Sequence, residues 1–280
     1  MKKRRVKAVV KMVSLFLVVA FLFQTMAIAL NAAAVSNVQS RVRYSTNRII
    51  IKYEKNADKN RIKNKVKRKR VNPFLSTKRI GKTDIEIVEL QNAAQVENML
   101  ELFRQQEGVA YAVPDYKVKA YTTDTNNIRK QGIQNTDILQ PFLQSIADAQ
   151  KYGQIQTVRI GILDTGINVE HSAIKNHLFN NNEEIPGNGI DDDANGYIDD
   201  IHGWNFVKNN ASIYSNSIID QHGTNVAGIL ASAVPNAELV GLKFMENGEG
   251  YTSDAIKAIK YAETLGVSVI NMSWGCEEYN

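Results

Sequence analysis

Cysteine is all but missing. Cys276 is the single one in 280 residues, which excludes an intrachain disulfide framework and any metal site built from several thiolates. Proline numbers only 5 and glycine 17, too few for a collagen-like or low-complexity chain. Beyond the first thirty residues no apolar run is long enough to cross a bilayer. Charge of one sign does not dominate the whole chain either, since 34 Lys and Arg oppose 29 Asp and Glu. What is present is apolar surface: 44% hydrophobic residues against 22% charged ones describe a chain that buries a core rather than a disordered one.

The near balance of charge hides a segregation. Residues 1–70 hold 19 Lys and Arg against 2 Asp and Glu, while residues 121–280 hold 9 against 20. A nucleic-acid-binding domain carries its basic surface on its folded body. Here the positive charge precedes an acidic segment, so no nucleic-acid partner is expected. At the N-terminus Lys2, Lys3, Arg4, Arg5, Lys7 and Lys11 precede an apolar run over 12–23, followed by Ala32, Ala33 and Ala34. Basic, apolar, then small residues is the pattern of a secretory signal. Residues 1–34 are therefore expected to be a signal peptide, and the protein to be secreted and to meet a membrane only during export. The run continues to Leu30, so an uncleaved membrane anchor is the alternative.

Residues 44–120 read as a small α+β unit. Residues 48–53 and 109–113 predict strands, and residues 84–90 alternate acidic and apolar side chains like a strand with one wet face. Val96, Met99, Leu100 and Phe103 recur at helical spacing ahead of Gly108, and Pro114 is expected to end the last strand. A first helix must come from residues 58–69, which are nearly all basic. Strand, helix, strand, strand, helix, strand is the split βαβ pattern. The basic run over 61–70 has no aromatic residue to stack on bases. It reads as a solvated face that helps this unit bind an acidic partner, the nearest being residues 121–280.

The later segment carries the chemistry. Residues 158–163 predict a buried strand running into Asp164-Thr165-Gly166, which places Asp164 at a strand's carboxyl end, where open α/β sheets put functional residues. Residues 201–206, 238–244 and 266–271 read as further strands, and residues 222–232 and 252–264 as helices. The first helix has His222 in its opening turn, with Gly223, Ala227 and Gly228 on a face that another backbone can approach. The second is expected to turn Ala255, Ile256, Ile259 and Ala262 inward. Alternating strands and helices predict an α/β fold with a doubly wound, mostly parallel sheet. A lone D-T-G also marks aspartic peptidases, but that chemistry needs two facing loops, hence a homodimer, and leaves His222 unused.

Taken in order, Ile-Leu-Asp164-Thr-Gly, His222-Gly-Thr-x-Val-Ala-Gly and Val269-Ile-Asn-Met-Ser-Trp-Gly275 fall on the right element types. This constellation resembles the subtilisin-like serine peptidases, or subtilases, whose triad runs Asp, His, Ser along the chain. The resemblance implies an incomplete subtilisin-like domain over 121–280, preceded by a ferredoxin-like inhibitory prodomain over 44–120. It also implies a secreted serine endopeptidase precursor that acts on polypeptides and is blocked by its own prodomain, whose tail over 118–125 fills the cleft. His222 would be the general base and Asp164 the group that fixes its tautomer. Ser273, Trp274 and Gly275 match the segment that pairs with substrate backbone. Trp274 replaces a smaller apolar residue and is expected to narrow a specificity pocket. Asn225 replaces a second His and bears on local packing.

The family's nucleophile motif, G-T-S-x-A/M, does not occur after His222, where Ser232, Ser253, Ser268 and Ser273 are the only serines. The 280 residues are therefore expected to be inactive by themselves. Two alternatives go with that expectation: a non-catalytic remnant acting as inhibitor or folding helper, or one half of a split enzyme.

Between the Asp and His motifs, Asp191, Asp193, Asn195, Tyr197 and Asp199 repeat the spacing D-x-D-x-N-G-x-x-D. Alternating oxygen ligands with a glycine at the sharp turn suit a hard cation, so a structural Ca2+ is expected, bound by those side chains and the Tyr197 carbonyl. Many subtilases carry similar acidic inserts, where calcium protects loops from self-digestion. The alternative is a flexible acidic loop, because no Glu stands at the twelfth position as it does in an EF-hand.

Overall fold

The computed structural model describes residues 44–68, 73–92, 95–121 and 157–276. The expected signal segment and the inhibitory tail beyond Tyr121 lie outside the described residues. Tyr44–Asn280 forms one compact unit. Among the described residues no helix is long and apolar enough to cross a membrane.

The N-terminal half follows the expected order: β1 (Tyr44–Tyr53), α1 (Lys59–Arg68), β2 (Phe74–Arg79), β3 (Ile85–Leu90), α2 (Val96–Arg104) and β4 (Val109–Ala120). Its strands lie side by side as β2-β3-β1-β4, each neighbouring pair antiparallel. Strand residues two apart share a face. Ile49, Ile51 and Tyr53 of β1 accordingly join Val88 and Leu90 of β3 in one core, closed by Ile62 and Val66 of α1 and all four apolar residues foreseen on α2.

Two expectations are corrected here. The last strand does not stop at Pro114 but runs on to Ala120. Up to Tyr116, β4 pairs with β1 on one side only, and the register is irregular next to Pro114, so the missing N–H breaks no ladder on the open side. Among the described residues of the basic helix, Lys59 pairs with Asp84 at 2.9 Å and Lys63 with Glu86 at 3.0 Å, so these two lysines serve the N-terminal half rather than the acidic one.

The second half contains β5 (Val158–Asp164), β6 (Gly203–Asn205), α3 (Gln221–Ala233), β7 (Ala237–Lys243), β8 (Met245–Glu246), β9 (Glu249–Tyr251), α4 (Thr252–Thr264), β10 (Val269–Asn271) and β11 (Trp274–Gly275). Strands β10-β5-β7-β6 form a four-stranded sheet in which every pair is parallel. Its two faces are covered by different helices, as the doubly wound expectation requires. Ile160, Ile162 and Leu239 pack with Ala227 and Ala231 of α3, whereas Leu163, Val240 and Leu242 pack with Ala255, Ala258, Tyr261 and Ala262 of α4. On α4, Ile256 and Ile259 are only half-buried while Ser253, Asp254, Ala258 and Tyr261 are buried, so the inward face is rotated from the expected one.

Strands β8 and β9 were not foreseen, because two or three residues show no period, and β11 was expected only as the backbone-pairing segment over 273–275. They matter most for position. The distal part of β4 leaves β1 and enters the second half, pairing antiparallel with β9 at Lys117, Val118 and Lys119 and with β11 at Lys119 and Ala120. One strand therefore belongs to both halves and ties them into a single body. Side chains add to the seam: Asp115, wholly buried, accepts from the Ser253 backbone N–H and hydroxyl at 2.8 Å each and pairs with Arg48 at 3.0 Å.

Candidate active site

Asp164 ends β5 and is fully buried. His222 sits in the first turn of α3, and its Nδ1 lies 2.8 and 2.9 Å from the two carboxylate oxygens of Asp164. Two residues 58 positions apart are thus brought into a direct N–H to carboxylate contact. The approach depends on glycine. A side chain at Gly223 would place its first carbon 2.4 Å from the Gly166 carbonyl oxygen, so only hydrogen lets the helix tip sit against the D-T-G turn. The Gly223 N–H then donates to the Thr165 hydroxyl at 3.1 Å, and the Thr165 N–H donates to Asp164 at 2.7 Å. Gly228, expected on the same approach face, meets nothing within 4 Å, since the buried face of α3 runs through Gly223, Ala227 and Ala231 instead.

The His222 imidazole is held above its ordinary pKa. The hydrogen bond to Asp164 is the main cause, partial burial opposes it, and the Asp164 charge and the Tyr121 backbone add to the rise. A group that favours the protonated ring must accept its proton, so the Tyr121 partner is the backbone carbonyl. The C-terminal end of β4 therefore arrives at the imidazole.

It arrives as an extended peptide between two short strands. The Tyr121 N–H donates to the Ser273 carbonyl at 3.0 Å and the Ala120 N–H to the Gly248 carbonyl at 2.9 Å. Val118 is 2% exposed, packed in the core with Phe244, Met245 and Ala255. The Tyr121 ring lies across Gly275, where an added side-chain carbon would fall 2.2 Å from the Tyr121 hydroxyl. Of the expected backbone-pairing residues, Ser273 offers its carbonyl, and Trp274 and Gly275 pair in register with Ala120 and Lys119. The Trp274 ring packs 4.9 Å from Phe244 in the core beside this path. The Ser273 hydroxyl accepts from the Asn271 amide at 2.8 Å. Asn225 is exposed on the outer side of α3.

The acidic loop has a different gathering from the one its spacing suggests. Glu184, Asp193 and Asp200 bring one carboxylate oxygen each to within 4.8 Å of one another, a group that could hold a metal ion. Asp193 belongs to the expected set. Asp191 accepts the Asn195 and Gly196 N–H groups at 3.0 and 2.8 Å, and Asp199 those of Asn188 and Gly189 at 3.1 and 3.0 Å. Asn195 bridges the cluster, its amide donating to Asp193 and Asp200 at 2.9 and 3.0 Å. The Tyr197 ring is turned into the core against Trp204 and Tyr261. Burial pushes the Asp200 carboxyl above its usual range, against hydrogen bonds from Tyr261, Asn181 and Asn195.

Sequence reasoning held Tyr121 only as part of the tail over 118–125, and missed Glu184, Asp200, Asp220 and Lys243 as site residues. The last left a readable trace, being the one charged residue in the otherwise apolar run over 239–245.

Residues 156–280 match the model of the subtilase family, and residues 30–115 match that of the fervidolysin N-terminal prodomain. The chain is 31% identical over 153 residues to the subtilisin-like protease 1 of Plasmodium berghei, covering 49% of this chain and 25% of that protein. It is 28% identical over 196 residues to the thermophilic serine proteinase of Bacillus sp. strain AK1, covering 65% of this chain and 41% of that protein. Among solved structures it is similar to the epidermin leader peptide processing serine protease of Staphylococcus aureus. That likeness has a TM-score of 0.44 and 18% identity and covers 82% of this chain and 50% of that one. The aligned stretch thus spans only a quarter to two-fifths of the two curated relatives.

Proposed function

The chain belongs to the subtilase family, and from that membership we propose that it is the N-terminal part of a secreted serine endopeptidase precursor held inactive by its own prodomain. The observation that carries this reading is the convergence of three parts at one point. The acid, the base and an extended stretch of the chain's own backbone meet where a peptide bond would be cut.

A serine hydroxyl attacks a carbonyl only when a neutral imidazole takes its proton, and His222 is the base for that step. Asp164 keeps the proton on Nδ1, leaving the other ring nitrogen free to act, and stabilises the imidazolium that forms. The nucleophile is none of the four serines after His222: Ser253 is bonded to Asp115, Ser232 to the Gly228 carbonyl and Ser273 to Asn271, while Ser268 lies at the far end of β10. These 280 residues hold the acid and the base but cannot form an acyl-enzyme on their own.

The prodomain is read as ferredoxin-like from its β2-β3-β1-β4 order, and as an inhibitor from the route of β4. Strand β4 enters between β9 and β11 as a substrate would, by strand addition. Its Tyr121 carbonyl faces His222, so the bond following Tyr121 is the one presented for maturation, with the Val118 side chain filling an apolar pocket three residues before it. Secretion is supported by the basic, apolar and alanine-rich order of residues 1–34. Calcium is the ion proposed for Glu184, Asp193 and Asp200, because three carboxylates form a hard-oxygen donor set. Its chemistry there would be structural, tying together the turns of the loop over 181–200 ahead of β6.

Fluorophosphonate labelling tests the reading. The natural protein, purified from its source, is expected to take the label on one serine, and His222→Ala to abolish it. Residues 1–280 produced alone are expected to take none. Absence of label from the natural protein, or label on any serine before residue 280, overturns it.

A further inference from the structure

We infer that Lys243, through its buried bond to Asp220, is a positioning residue for the Asp164–His222 pair. It ties the strand end that carries the acid to the helix tip that carries the base.

Lys243 closes β7, and its side chain is wholly buried, as is that of Asp220. A lysine is almost never fully buried without a partner. The partners here are two: the Nζ donates to the Asp220 carboxylate and to the Thr165 backbone carbonyl. Thr165 directly follows Asp164, and Asp220 stands two residues before His222. One ammonium group therefore grips the backbone next to the acid and the side chain next to the base.

Asp220 is placed for this purpose rather than for the usual one. It occupies the N-cap position of α3, where an aspartate ordinarily accepts a hydrogen bond from the helix's own first N–H groups, yet it makes no such cap bond. One carboxylate oxygen turns instead to Lys243, and the other accepts the Ser215 and Asn216 N–H groups. The same carboxylate fills the space at Gly166, where a side-chain carbon would lie 2.7 Å from its oxygen. Forgoing a cap and burying a charge pair both disfavour stability relative to apolar packing of equal volume. Directional bonds of this kind fix one geometry where apolar side chains would tolerate several. Catalytic groups must be held to about half an ångström.

The proposed mechanism assigns Lys243 neither proton nor substrate, so its effect must pass through His222. The inference rests on the reading of Asp164 and His222 as acid and base for its catalytic meaning. The displacement of the ring is measurable without turnover, and so a failure of one is distinguishable from a failure of the other.

The experiment is nuclear magnetic resonance of the full 280-residue chain with 15N-labelled histidine, titrated with pH, with a free histidine peptide as reference. In the parent chain His222 is expected to titrate above the free peptide and to show a low-field Nδ1 proton shared with Asp164. Lys243→Met is expected to lose that proton signal and bring the titration down toward that of the peptide. The double variant Lys243→Met with Asp220→Asn removes the unpaired charge, so it is expected to regain thermal stability while the His222 signature stays lost. A purely structural pair would return both together. Retention of the low-field proton and raised titration in either folded variant overturns the inference. So does failure of both variants to fold, which assigns the pair to stability alone.

Discussion

Two parts of the acidic half use carboxylates in opposite ways. Around the D-T-G turn, Asp164 and Asp220 are fully buried, and each faces one dedicated partner from a distant element, His222 for the first and Lys243 for the second. In the loop over 181–200 most carboxylates are exposed or half-buried, and they accept backbone N–H groups of the same loop, four or five residues away for Asp191 and ten or eleven for Asp199. The first arrangement is set by where strands and helices end, and the second by how one stretch of chain coils on itself. Removing a carboxylate should therefore disturb reactivity in the first region and metal response in the second.

The largest expected effect follows from Asp164→Asn in the natural protein. With the wrong ring tautomer favoured, kcat should fall by about four orders of magnitude while binding of peptide substrate changes little. Steady-state kinetics check it, and a loss confined to KM would contradict the assigned role. Next comes Lys243→Met, which strands the Asp220 charge in the interior. Denaturant unfolding should show a loss of about 3–5 kcal/mol, most of it regained in the double variant with Asp220→Asn.

Val118→Asp sharpens the contrast between the shared strand and the loop. It places an unpaired charge among Phe244, Met245 and Ala255 and should release the end of β4 at a cost of several kcal/mol. Hydrogen exchange at the Ala120 and Tyr121 amides reads this directly, because both are bonded to carbonyls of the second half. Calcium at a hundredfold its Kd should stabilise the chain by about 2.7 kcal/mol. The melting temperature should then rise with calcium and fall with a chelator, and Asp200→Asn should erase the difference. An unchanged melting temperature with or without calcium would remove the ion from the loop.

The smallest effect is the pH dependence of the Asp164–His222 pair. A histidine whose folded pKa is raised contributes its full stabilisation below its unfolded value and loses it as pH rises through the folded value. Stability relative to His222→Gln should thus be greatest in mild acid and decline across neutrality and above. Catalysis needs the neutral ring and follows the opposite trend. The Tyr121 carbonyl is among the groups that raise the ring's pKa, so the base should titrate lower once the prodomain tail has left.

Much of this architecture was legible in the chain. Residues 158–163 read as a strand because a short, mostly apolar run ahead of the D-T-G turn suits a buried strand, and the four apolar positions of α2 showed themselves through their 3.6-residue period. Residues such as those of β9 and β11 could not be read that way. A strand of two or three residues has no period, and it exists only because β4 supplies the opposite edge. The continuation of β4 past Pro114 was hidden for the same reason. Proline is a stop signal only where both sides of the strand are paired.

Local pattern was enough to establish the element types, the order of acid before base, the segregation of charge and the presence of an acidic loop, since each depends on neighbours a few residues apart. Which carboxylates gather in that loop, which face of α4 turns inward, and that Tyr121, Asp220 and Lys243 stand around the Asp164–His222 pair were settled only by the tertiary structure. Those contacts join residues far apart in sequence, and no periodicity or spacing records a distance that exists only after the sheet and its helices have packed.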